Sequence, residues 1–205
     1  MRILCFSDVH ENFEKMFELI SNSKADLILF CGDLCLNGGK QESVSFSTHD
    51  LLSQISIPFF WVHGNHDDNN YLSSQKPKNL IKPGKIVDFN GLKIAGLGGN
   101  FSPKKFDIKR NIIETRFYHF ILKEDIEKFK ESNIDIFLSH DSPKALRKEG
   151  CCLLDDLIKK MHPKLCLSGH HHQFKTLEKD GVIYLSLPAV VDGGAILMDE
   201  NLEII

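Results

Sequence analysis

Apolar residues fall along the chain in short unbroken runs, separated by turn residues. Residues 2–6, 26–31 and 58–62 carry Ile3-Leu4-Cys5-Phe6, Leu27-Ile28-Leu29-Phe30-Cys31 and Phe59-Phe60-Trp61-Val62, with no polar alternation. Such runs predict strands covered on both faces, as in a parallel sheet. Between the first two, Glu11 to Ser21 places Phe13, Met16, Phe17 and Ile20 at three- and four-residue spacing, which predicts one amphipathic helix. Residues 40–54 are a weaker helix candidate. The opening third is thus expected to run β-α-β-α-β, with right-handed connections.

Further on the pattern changes. Ile86–Phe89 and Leu92–Leu97 flank Asn90-Gly91, a strong hairpin signal. Gly96, Gly98 and Gly99 follow in a glycine-rich loop, and 101–119 reads as a polar connector. Helices are expected over Leu122–Glu131 and Leu153–Met161, and buried strands over Ile134–Leu138 and Leu165–Leu167. The tail predicts strands near 173–178, 181–187 and 194–199, the first pair joined at Asp180-Gly181.

Composition then sets bounds. The chain has 205 residues, 42% hydrophobic and 26% charged, close to a globular average, so disordered, collagen-like and coiled-coil classes are excluded. At this length roughly 70% of the unfolded surface can be buried, enough for one domain without staples. Lys plus Arg number 25 against 28 for Asp plus Glu, a net charge of −3. That balance gives no electrostatic reason to expect a nucleic-acid or membrane partner. None of the six Cys forms a C-x-x-C pair, and three lie inside strand-like runs, which fits reduced, buried thiols. Nothing resembles a signal peptide, and no apolar stretch approaches the roughly 18 residues a membrane span needs. A cytoplasmic location is expected.

The chemistry-bearing residues gather at predicted strand ends. Asp8-Val9-His10, Gly32-Asp33, Gly64-Asn65-His66-Asp67, His140 and Gly169-His170-His171-His172 each follow a strand. Sites in α/β sheets form beyond the carboxyl ends of strands, so these five loops should converge. Carboxylate, imidazole and amide oxygen together suit Mn²⁺, Fe²⁺ or Zn²⁺. Any one block alone is ordinary turn or core chemistry; five in order at five strand ends are not.

These blocks resemble the five-part signature of the calcineurin-like metallophosphoesterases, across essentially the whole chain, as a small single-domain member. The resemblance implies a four-layer α/β/β/α sandwich with a two-metal centre. It implies that Asp8, His10 and His172 hold one ion and Asn65, His140 and His170 the other. Asp33 would bridge them, and His66 would serve catalysis without binding metal. The implied reaction is hydrolysis of a phosphodiester or phosphomonoester by in-line attack of a metal-bridging hydroxide, with Mn²⁺ favoured and Fe or Zn as alternatives. A bridge needs a ligand that reaches both ions, and Asp33 is the one carboxylate standing alone at its strand end. His66, one residue past Asn65, is placed to protonate a leaving oxygen.

Departures narrow the substrate. Gly32-Asp33-Leu34-Cys35-Leu36-Asn37 carries no arginine where the protein Ser/Thr phosphatases of the family have one, which disfavours a phosphoprotein substrate. A small phosphorylated molecule such as a nucleotide is expected instead. His63, Asn100 and Arg110 are further candidates for substrate contact. Asp67 is read as orienting His66 or a ligand, or as capping the helix after it. The alternatives are a nuclease or nucleotide pyrophosphohydrolase with the same centre, or a non-catalytic interaction module on the same scaffold.

Overall fold

A computed structural model describes residues 1–36, 51–74 and 77–205. Its first sheet has the order β12-β1-β2-β3, built from Ile196–Met198, Ile3–Phe6, Leu27–Phe30 and Phe59–Trp61. β1, β2 and β3 run parallel, and β12 closes the sheet antiparallel. The second sheet has the order β10-β11-β9-β8-β5-β4, from Lys175–Lys179, Val182–Ser186, Leu165–Ser168, Ile136–Ser139, Leu92–Leu97 and Ile86–Phe89. Its four inner strands are parallel; the edge strands β4 and β10 pair antiparallel. A small parallel pair, β6 (Asn100–Phe101) and β7 (Phe120–Ile121), stands apart from both.

Alternating side chains of the unbroken apolar runs go to opposite faces, and three cores result. Ile3, Cys5, Leu27 and Leu29 of the first sheet meet Ile94, Ile136, Leu138 and Leu167 of the second. On the outer face of the first sheet, Leu4, Phe6, Ile28, Phe30 and Trp61 pack on Met16 and Ile20 of helix α1 (Phe13–Ser23) and on Leu72 of helix α2 (Asn69–Ser74). On the outer face of the second, Ala95, Phe137 and Cys166 pack on Leu154, Leu157, Ile158 and Met161 of helix α4 (Cys152–Met161). Helix, sheet, sheet, helix is the expected four-layer arrangement.

Two sequence expectations need adjustment. The helix expected over Leu122–Glu131 stops early, as α3 (Lys123–Glu127), because Phe129 turns inward to pack on Phe137 and its carbonyl accepts the Lys160 Nζ. Of the weaker candidate over 40–54, only Leu51–Gln54 lies within the described residues, as a 3₁₀ turn. No helix among the described residues is long and apolar enough to cross a membrane.

Candidate metal centre

The parallel strands of both sheets present their carboxyl ends to one region, and the five motif loops meet there. Asp8, His10 and His172 form one group and Asp33, His140 and His170 another, with the ligand atoms of each group within 4.8 Å of one another. His10 Nε2 lies 3.1 Å from His172 Nε2 and 3.7 Å from Asp8 Oδ1, and His172 Nε2 lies 3.3 Å from that same oxygen. In the second group His140 Nε2 stands 3.3 Å from Asp33 Oδ2 and 3.0 Å from Asn65 Oδ1. All seven ligand-type residues expected from the sequence are therefore at one place.

Asp33 lies between the groups, but through one oxygen. Its Oδ2 is 3.3 Å from His140 Nε2 and 4.0 Å from His10 Nε2, while Oδ1 accepts the backbone N–H of His66 at 2.7 Å. Asp33 would be placed to hold both ions, Oδ2 being the oxygen turned toward a histidine of each group.

The donor set suits divalent cations. The ring Nδ1 of His10 donates to the Cys35 carbonyl at 3.1 Å, and that of His140 to the Cys31 carbonyl at 2.7 Å. In the neutral rings this leaves both Nε2 lone pairs turned inward, the usual means of fixing a ligating tautomer. Asp8 Oδ1 is buried and accepts no hydrogen bond. Two imidazole nitrogens converging with one buried carboxylate oxygen make a donor set that a divalent cation fits.

The carboxylates are tuned as the arrangement demands. Burial pushes Asp8 upward, but His172 and the charge of His140 outweigh it and hold its carboxyl below the usual range. Asp33 is likewise pushed up by burial and pulled well below by His140 and His66. His140 is disfavoured as a cation by burial, yet Asp33, Asp8 and the Cys31 carbonyl raise it to about 10 in the metal-free chain. His170 is lowered by burial and by His140, and His172 is raised by Asp8.

Around the groups, His66 stands edge-on to His10, ring centroids 5.2 Å apart. Asp67 proves to be a strut: its buried carboxylate accepts N–H groups of Asp33, Leu34 and Gly64 at 3.1, 2.8 and 2.7 Å, tying the second motif loop to the third. Capping of α2 falls to Asp68, which accepts from Asn70 and Tyr71. Asn100 carries a buried amide oxygen without a partner. Arg110 is held by Asp125 and by the Tyr118 and Phe120 carbonyls. His63 is pushed down to about 3, by burial first and then by Arg110. His119, which sequence reasoning did not assign, is fixed by Asn69 at 3.1 Å and lowered to about 4 by burial, with His66 and Arg110 adding to that against Asp33. Fifty residues separate the two partners, and no local signal marks such a pair.

A family model for calcineurin-like phosphoesterases matches residues 1–174. The chain belongs to the calcineurin-like phosphoesterases. It is thus a metal-dependent phosphoester hydrolase, and it carries two groups of side chains that could hold metal ions. This phosphoesterase is 28% identical over 201 residues to an uncharacterized protein of Haemophilus influenzae, covering 83% of each chain. It is also 28% identical over 193 residues to a probable cyclic nucleotide phosphodiesterase of Ruthia magnifica, covering 89% of this chain and 77% of that one. A solved structure from Thermus thermophilus shares the fold, with a TM-score of 0.77 at 19% identity over 100% of this chain and 96% of its own.

Proposed function

We propose that the phosphoesterase holds two divalent cations, Mn²⁺ before Fe or Zn, and hydrolyses a phosphodiester of a small, nucleotide-like molecule. The observation that carries this reading is the position of Asp33 Oδ2, within 4.0 Å of a histidine from each group. Asp8, His10 and His172 would hold one ion, Asn65, His140 and His170 the other, and Asp33 both. The likeness to a probable cyclic nucleotide phosphodiesterase supports a diester of nucleotide size.

Two cations held there would acidify a water to a nucleophile near neutral pH and would offer positive charge to the phosphoryl oxygens. The protein's own residues supply the rest. The Cys31 and Cys35 carbonyls hold the His140 and His10 rings in ligating orientation. Asp67 keeps the Asp33 and Asn65 loops in register. His66, anchored by its backbone N–H to Asp33, holds a proton for the oxygen that leaves opposite the attack. A single domain in a reducing, cytoplasmic setting fits a shared core between the sheets and six unpaired thiols.

Elemental analysis after reconstitution with Mn²⁺, together with turnover of bis(4-nitrophenyl) phosphate and 4-nitrophenyl phosphate, tests the reading. Two ions per chain and faster diester than monoester turnover are expected, with Asp33→Asn depleting both ions. One ion or none in the wild-type protein overturns the binuclear centre. Loss of a single ion in Asp33→Asn overturns the shared role of Asp33, and absence of turnover favours an interaction module.

A further inference from the structure

A cavity of about 470 Å³ is lined by none of the seven ligand-type residues and not by His66. His63 reaches it from the loop after β3, with Nε2 shielded from solvent and without a hydrogen-bond partner. Arg110 and Asp125 line it as an ion pair, and the Arg110 guanidinium is fixed further by the Tyr118 and Phe120 carbonyls. At the rim stand Lys82 and Lys85, both exposed, and Lys128, which reaches Asp125 at 3.1 Å. Leu72, Leu80 and Tyr118 supply apolar wall.

The charge at this place runs against that of the molecule. Four cationic side chains face one carboxylate in a chain whose net charge is −3. The volume falls within the range usual for small-molecule sites, which combine apolar walls with a few placed polar groups. Lysine ammonium groups serve phosphate as point charges.

We propose that this cavity is a second ligand site, for an organic phosphate monoester whose aromatic or apolar body lies against Leu72, Leu80 and Tyr118. Its phosphate meets Lys82 and Lys85 at the rim. The site needs no metal. It is also joined to the metal centre through the backbone: the His63 carbonyl accepts the Gly99 N–H at 2.7 Å, and Gly64-Asn65 follows directly in the chain.

Isothermal titration with 5′-AMP as probe tests the site on the full chain, both stripped with chelator and loaded with Mn²⁺. Stripped protein is expected to bind one AMP, more tightly than inorganic phosphate. Lys82→Gln with Lys85→Gln should weaken that binding roughly tenfold, the loss of two exposed ion contacts, with Tm and metal content unchanged. His66→Gln should leave it alone. In the loaded chain the same lysine pair should still weaken one AMP site. An isotherm indifferent to the lysines in the loaded chain overturns the proposal. So does a stripped, folded protein that ignores AMP, or one that binds inorganic phosphate equally well.

Discussion

Five of the seven ligand-type residues hold backbone angles that side chains usually avoid. Asp8, His10, Asp33, His170 and His172 have φ of 55, 46, 62, 69 and 57°. Each such residue costs on the order of 1–3 kcal/mol and persists only where the surroundings over-determine it. Here they do: the N–H groups of Asp8, Val9 and His10 donate to the carbonyls of Gly32 and Asp33 at 2.8–3.1 Å, which locks the first motif loop onto the second. His66 is a different case, since it sits beside the groups and takes no part in either. A residue that donates a proton matters most when the leaving oxygen is basic, and such donors typically contribute about 10²–10⁴-fold. His66→Gln should therefore keep its metals and lose modest rate on a nitrophenyl phosphodiester. On an alkyl or cyclic-nucleotide ester it should lose roughly a further hundredfold, within that same range. The measurement is kcat/KM on both substrates with metal content alongside. Equal losses on both would make His66 a phosphate-positioning group instead.

At the scale of elements, what could be read from the sequence was what depends on neighbours in the chain. The Asn90-Gly91 hairpin appears as expected because that turn needs two residues at positive φ, and both have it, at 52 and 88°. The strand ends and their ligand residues were legible for the same reason, as apolar run, turn and ligand lie within a few positions. Asp67 was not: its partners Asp33 and Leu34 are over thirty residues away and are backbone N–H groups, which no side-chain pattern advertises. The early end of α3 was hidden likewise, since Phe129 answers to Phe137 across the layer. Gly169 shows how closely β1 and β9 must approach at their ends. A Cβ there would lie 1.9 Å from Ser7 Oγ and 2.8 Å from Asp8 Oδ2. Gly169→Ala should displace Ser7 and Asp8 and weaken one metal site by about an order of magnitude, roughly 1.4 kcal/mol, with the fold retained. Adding Ser7→Ala should recover part of it. Manganese titration of the three proteins decides, and an unchanged affinity in Gly169→Ala would remove the close approach from the account.

For the whole molecule, two kinds of buried titratable group set the response to conditions. Cys5, Cys31, Cys35, Cys151 and Cys166 are buried free thiols, and burial pushes Cys151 up to about 12. A reductant should leave Tm nearly unchanged, whereas a native disulfide would contribute roughly 2–4 kcal/mol; a fall of many degrees would contradict unpaired thiols.

The metal ligands set a response to pH as well, because His140 and Asp33 face each other as a charged pair in the metal-free chain. His140, raised from 6.5 to about 10 chiefly by Asp33 against burial, is protonated at neutral pH. A histidine raised on folding contributes stability that is complete below its unfolded value and lost as pH rises through about 10. Asp33, held low, contributes above its unfolded value of about 3.9 and loses that contribution in acid. The metal-free protein should accordingly be most favoured by this pair between roughly pH 4 and 6.5, and should weaken toward pH 10. Coordination needs the neutral ring, so Mn²⁺ binding at pH 7 should release about one proton per chain from His140. Affinity should then climb with pH across the same interval in which the metal-free protein loses stability. Titration calorimetry in two buffers of different ionisation enthalpy reads that proton directly, and equal heats in both would mean that His140 is already neutral before the metal arrives.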